Sequence, residues 1–173
     1  MRAAAALARA RLRERSAHAW AVLATVPDPE VPALSLCDLG IVREVTLRGD
    51  GVEVVLTPTY SGCPATEVIA DSVRTALLGA GYASVTLTQR LAPAWTTDWI
   101  SAEGRERLRA YGIAPPGPAV ASEAVLRIRP RNLVCPRCGS ADTERLSAFG
   151  STACKALHRC LACREPFEHF KPL

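Results

Sequence analysis

Two cysteine arrangements in this 173-residue chain could do chemistry, and they differ in kind. The segments CPRCG and CLAC place Cys135, Cys138, Cys160 and Cys163 as two Cys-x-x-Cys pairs with 21 residues between them. Two residues between ligands let one tight turn aim both sulfurs at a metal while backbone N–H groups point back at them. Gly139, directly after the first pair, suits the left-handed position of such a knuckle. Two knuckles make a tetrahedral four-thiolate site; two disulfides are the other way to use the four sulfurs, and a four-cysteine site accepts iron as well as zinc. Cys154 and His158 stand four apart inside the same stretch. They are either additional ligands or a small buried thiol beside a surface histidine. His18 and His169 read as surface residues.

The other arrangement is a single cysteine in TPTYSGCPA, residues 57–65. Val52, Val54 and Leu56 alternate before it as in a strand, and Ile69, Val73, Ala76 and Leu77 recur after it as in a helix. Cys63 therefore stands at a strand-to-helix corner, where free N–H groups and the helix dipole favour a thiolate. Gly62 lets the backbone turn there. Such a thiol could bind iron or a cluster, attack an electrophile, or simply be buried. Asp28 and Glu30 in DPE, and Asp38 in CDLG, put acids on a loop that would converge with the thiol if it packs beside the corner; alternatively they tie down turns. Cys37 is an optional second ligand. Trp95 and Trp99 are core residues or a docking patch.

The elements that must position these groups follow from pattern and punctuation. A chain 49% hydrophobic and 22% charged is close to globular averages, which excludes wholesale disorder. The net charge of +4 comes largely from Arg2, Arg9, Arg11, Arg13 and Arg15, too small and too local to be a nucleic-acid footprint. No apolar run is long enough for a membrane helix, and arginines interrupt the Ala-rich start before a signal-peptide core forms. An organellar transit peptide shares that composition, but an Ala-rich helix running to Pro27 is the reading taken. Without a secretion signal, a reducing cytoplasm is expected, where seven cysteines point to metal or thiol chemistry.

Residues 1–16 are expected to form an Arg/Ala-rich helical extension, 17–112 an α+β domain, 113–122 a Pro-rich linker and 123–173 a metal-stapled unit. In the α+β domain, IVREVTLR and VEVVLTP flank GDG as a hairpin. A helix from Pro64 to about Leu78 follows, and ASVTLTQR is a third strand reached by a parallel crossover. Ser101 could cap a short helix over SAEGRERLRAYG. The fold class is α+β: a small three-stranded mixed sheet with helices on one face, then a small four-cysteine unit with too little apolar core to stand without its metal.

The order of DPE, the DLG turn, the hairpin and T-P-x-x-x-G-C-P resembles the small domain family of iron–sulfur protein maturation, which includes SufT-type proteins. Joined to CPRCGS…SAFGSTACKALHRCLACREPFEHFK, it resembles the D-subunit branch of the phenylacetyl-CoA epoxidase system, whose tail is a zinc ribbon. That resemblance implies an accessory subunit, non-catalytic by itself, in aerobic phenylacetate catabolism. It would assist assembly or delivery of iron or an iron–sulfur cluster to the di-iron catalytic core or the iron–sulfur flavin reductase, its expected partners. It also implies Cys63 as functional thiol, with Asp28, Glu30 and Asp38 shaping its pocket, and structural zinc on Cys135, Cys138, Cys160 and Cys163. Neither nucleic acid nor membrane is an expected partner. Two other classes stay open on the residues alone. One is a nucleic-acid-binding ribbon, although acids offset the basic tail and only Phe149, Phe167 and Phe170 could stack. The other is a thiol enzyme using Cys63, although every histidine is distant in sequence.

Overall fold

The computed structural model describes residues 2–60, 62–117 and 133–172. The backbone divides into two compact units, residues 1–95 and 96–173.

In the first unit, helix α1 (Arg2–Leu23) runs unbroken from the Arg-rich start into the domain, as alanine's propensity allows. Ala19 and Leu23 are fully buried on it. Arg15 fastens the helix to the hairpin turn by donating to the carbonyls of Gly49 (2.9 Å) and Asp50 (3.0 Å). Tyr82 Oη donates back to the Arg15 carbonyl at 2.6 Å. Strands β1 (Val42–Arg48) and β2 (Gly51–Leu56) pair antiparallel, and β3 (Val85–Gln89) joins β2 in parallel, giving the mixed order β1-β2-β3. Val52, Val54, Val55 and Leu56 of the central strand are all buried.

The hairpin pivots on Gly49, whose φ of +59° is left-handed, and Arg48 pairs with Gly51 across a Gly49-Asp50 loop. Gly51 of the expected Asp-Gly turn serves differently. A Cβ there would lie 2.2 Å from Ser84 Oγ and 2.9 Å from the Ser84 carbonyl, so its lack of side chain admits the chain entering β3. Helix α2 (Thr66–Gly79) makes the parallel crossover and buries Ile69, Val73 and Leu77, one residue per turn. It opens two residues after Pro64.

The second unit begins with a 3-10 turn (Thr97–Trp99) and helix α3 (Ala102–Tyr111). Ser101 caps α3 by accepting from the Gly104 N–H at 2.8 Å, as its position predicts. Gly112 ends it at φ +91°. Strand β4 (Ile113–Ala114) then pairs in parallel with β7 (Pro166–Phe170). β7 lies beside β6 (Lys155–Cys160), which forms an antiparallel hairpin with β5 (Thr143–Ser147), for the sheet order β4-β7-β6-β5. The boundary thus departs from the expected 17–112 domain. Residues 96–112 group with the cysteine-rich unit, and the first two residues of the expected linker are a strand of its sheet. The reason is that the backbone of β4 finds its hydrogen-bond partners on β7, more than fifty residues away, where local Pro content cannot indicate them. The rest of the linker from residue 118, and the start of the expected ribbon at 123, lie outside the described residues.

Candidate functional site

The acidic loop is held by its own carboxylates and by a row of leucines. Asp28, 6% exposed, accepts from the N–H groups of Glu30 (2.9 Å) and Val31 (2.8 Å) through one oxygen. Asp38 accepts from Ser35 N–H (3.0 Å) and Ser35 Oγ (2.8 Å), and Ser35 Oγ accepts in turn from Asp38 N–H (3.0 Å). This reciprocal cap is turn chemistry. Leu34, Leu36 and Leu39 are buried beneath it, and Trp95 Nε1 donates to the Leu39 carbonyl at 2.9 Å. Trp95 is therefore core, whereas Trp99 is half-buried. The loop ends beside the corner because Thr57 N–H donates to the Ile41 carbonyl at 2.8 Å.

Cys63 is half-buried at that corner, with the Thr66 hydroxyl donating to its carbonyl at 2.8 Å. Its thiol is pushed above the ordinary value. Burial is the largest cause, and the charges of Glu30 and Asp28 add to it; hydrogen bonds from the Ala65 N–H and the Tyr60 hydroxyl oppose the rise. The expectation of a helix-stabilised thiolate is thus corrected. α2 begins three residues after Cys63, and the charges that reach the thiol are those of carboxylates. The charges of Glu30 and Asp28 both reach the Cys63 thiol. Asp38 ties down the turn at Ser35. Its charge falls on Cys37, whose thiol is raised to about 11 by burial and then by Asp38. Tyr60 is the neighbour that sequence reasoning missed, although it sits in the quoted corner itself. Burial and neighbouring negative charge lower the thiolate fraction on which a cysteine's nucleophilicity depends.

In the second unit, Cys135, Cys138, Cys160 and Cys163 bring their four sulfurs within 4.8 Å of one another. Cys135 Sγ lies 3.9 Å from Cys163 Sγ, and Cys138 Sγ 3.5 Å from Cys160 Sγ. A disulfide needs roughly 2.0 Å. Four ligands at about 2.3 Å around a tetrahedral ion stand about 3.8 Å apart, so the donor set fits a metal of zinc's size. The two turns are built alike. Gly139 N–H donates to the Cys135 carbonyl and Arg164 N–H to the Cys160 carbonyl, each at 3.0 Å. The residue after each second cysteine is left-handed, Gly139 at φ +75° and Arg164 at φ +67°. Arg164 was missed, and its equivalence to Gly139 in the two knuckles is the signal that finds it. Cys160, whose sulfur accepts from Cys163 N–H, is lowered to about 7, while desolvation and the neighbouring sulfurs hold Cys163 at about 12 against the hydrogen bond from Glu165 N–H. Four crowded thiols do not all ionise without a cation among them.

The cysteines are also the core. Ala114, Cys135, Cys160 and Phe167 form one buried cluster with Leu133 and Cys163 packed against it. Cys154 and His158 stay out of the sulfur cluster. Cys154 is buried with its sulfur 3.1 Å from Thr152 Oγ1. His158 stacks on Phe167 at 5.8 Å and meets the edge of His169 at 5.6 Å. His169 is half-buried, not a plain surface residue; burial first and His158 second push it down to about 4. Lys155, 3% exposed, pairs with Glu168 at 3.0 Å beneath the loop that follows β5, where Glu168 also accepts from Ser151 N–H.

Comparison with known proteins matches both units. Residues 16–87 match the family described as iron-sulfur cluster assembly protein, and residues 121–171 the PaaD zinc beta ribbon domain. Over 152 residues the chain is 51% identical to an Escherichia coli K12 protein named as the D subunit of "Putative 1,2-phenylacetyl-CoA epoxidase", covering 88% of this chain and 90% of that one. Over 84 residues it is 36% identical to a Porphyromonas gingivalis "Fe-S protein maturation auxiliary factor", covering 47% of this chain and 79% of that one. Its fold resembles the crystal structure of a DUF59 domain from Bacillus anthracis, with a TM-score of 0.54 at 22% identity over 58% of this chain and 96% of that one. No helix among the described residues is long and apolar enough to cross a membrane.

Proposed function

Since this chain belongs to the family of the 1,2-phenylacetyl-CoA epoxidase D subunits, we propose that it is an accessory, maturation-type subunit of that epoxidase system, outside its reaction centre. Its cargo in this reading is iron or an iron–sulfur cluster, passed to the catalytic subunit or the reductase. What supports the proposal is the match of residues 16–87 to the assembly family, with Cys63 at the strand-to-helix corner of that stretch, where the charges of Glu30 and Asp28 reach it. In this reading Cys63 is the soft donor to iron, and the two carboxylates set the charge around it rather than completing a ligand set. One thiol is too few to keep a cluster, so a client protein or a second copy supplies the remaining ligands, as transfer requires.

Zinc is the metal we assign to Cys135, Cys138, Cys160 and Cys163. It would supply folding energy to a sheet whose core is otherwise Ala114 and Phe167 with Leu133. Cys154 and His158 are assigned to packing.

Zinc, iron and acid-labile sulfide should be measured after anaerobic purification of wild type and Cys63→Ser. Zinc in both and iron only in wild type is the expected result; zinc alone in both overturns the carrier role. In cells, Cys63→Ala should lower epoxidase activity at an unchanged level of folded protein. Wild-type activity in that strain would remove the functional thiol.

A further inference from the structure

The chain's positive charge sits in one place. Lysine and arginine number 21 against 17 aspartates and glutamates, a net charge of +4. Arg2, Arg9, Arg11, Arg13 and Arg15 against Glu14 already make +4 within the first 15 residues, which leaves the remainder balanced. Arg2, Arg9, Arg11 and Arg13 lie in the first half of α1 and precede the stretch 16–87 that matches the assembly family; of the five arginines only Arg15 is tied to the sheet.

On a helix turning 100° per residue, Arg9, Leu12, Arg13, Ser16 and Trp20 fall on one stripe, at i, i+3, i+4, i+7 and i+11. Arg9 and Arg13 are exposed, Leu12 is 51% and Trp20 36% exposed, and Ser16 is half-buried. Arg15 lies off the stripe and is engaged with the hairpin turn. Among the described residues no ion pair engages Arg9 or Arg13. Two arginines one turn apart, with a leucine between them and a tryptophan beyond, thus present exposed surface along one stripe of α1.

We propose that this stripe of α1 is a docking surface for a carboxylate-bearing protein surface, the face by which the chain engages another subunit of the epoxidase system. The step rests on the subunit reading given above. Arginine is the cation that forks onto carboxylates, and arginine with tryptophan are the residue types that concentrate binding energy at interfaces. All five cations here are arginine. A bilayer would need a broad apolar face, which two arginines interrupt. A duplex would need more phosphate contacts than this one short row provides, and the rest of the chain has no net charge to add.

The test is titration of the full-length chain against the purified catalytic complex and reductase of the same epoxidase system, at low and high salt. Arg9→Glu/Arg13→Glu should weaken binding about tenfold or more and flatten its salt dependence, and Trp20→Ala should weaken it about tenfold with the salt dependence kept. Arg74→Glu, an exposed reversal on α2, should bind like wild type. Circular dichroism confirms that each variant is folded, and either stripe variant suffices should the other misfold. If both bind like wild type, the docking face is wrong and the subunit reading stands. If wild type binds neither component, the subunit reading falls and the proposal with it. Phosphatidylglycerol vesicles and duplex DNA are run beside them. Binding to either that the double reversal abolishes, with subunit binding unchanged, also overturns the proposal.

Discussion

Asp38→Ala separates the two uses a carboxylate could have in the acidic loop. In the structure its side chain, 9% exposed in the folded unit, accepts two hydrogen bonds from Ser35, one from the backbone and one from the hydroxyl. Hydrogen bonds to a charged group contribute about 1.5–3 kcal/mol each, and the two share one carboxylate, so their sum is not fully additive. Removal leaves Ser35, itself 7% exposed, with a buried N–H lacking this acceptor and a hydroxyl that can rotate to another. The loop cannot swing outward to hydrate them without exposing Leu34, Leu36 and Leu39, each at most 1% exposed. A loss of about 3 kcal/mol follows, or roughly 12–24 °C in the melting temperature of a unit this size. Asp38→Asn keeps one acceptor and loses the charge, for about half that cost. Urea unfolding followed by tryptophan fluorescence in a Trp99→Phe background, which leaves Trp20 and Trp95, reads the first unit. If Asp38→Ala costs less than about 1 kcal/mol yet abolishes the cellular role of the protein, the reciprocal cap is not what Asp38 is for, and the carboxylate belongs to the cargo pocket after all.

Glu30→Gln removes a negative charge that faces Cys63; less repulsion favours the thiolate, so the thiol's pKa falls and its alkylation by iodoacetamide below that pKa speeds up, read site by site by mass spectrometry against pH. An unchanged pH profile would mean that loop and corner do not converge. Arg164→Gly relieves a left-handed arginine at a cost in unfolded-chain entropy, leaving a net gain of about 0.5–1 kcal/mol. Because folding and metal binding are one event in such a unit, that gain should appear as zinc held about two- to fivefold more tightly in a chelator competition. Removing the metal, or Cys160→Ser, should unfold residues 133–172 while leaving the 1–95 unit with native tryptophan fluorescence in a Trp99→Phe background; protease resistance of the ribbon without metal would show that Phe167 and its neighbours suffice as a core.

The two knuckles were legible because a Cys-x-x-Cys turn is local: the ligands, the turn and the glycine after it lie within five residues. The hairpin, the α2 periodicity and the Ser101 cap are local in the same sense. Even so, the turn pivots on Gly49, and Gly51 is required by Ser84, a neighbour that only the folded sheet brings against it. Two residues of a Pro-rich stretch became a strand because β7 offers them hydrogen bonds across more than fifty residues of chain. The state of Cys63 was decided in the same way. Its place before a helix is written in GCP, and the local dipole argument points to a thiolate. Burial, with the carboxylates of a loop some thirty residues upstream, reverses that sign, because desolvation and through-space charge depend on distance in space and not along the chain. The sequence by itself determined which groups could do chemistry and the local turns that present them. The tertiary structure brought burial and the charges of Glu30 and Asp28 to bear on Cys63.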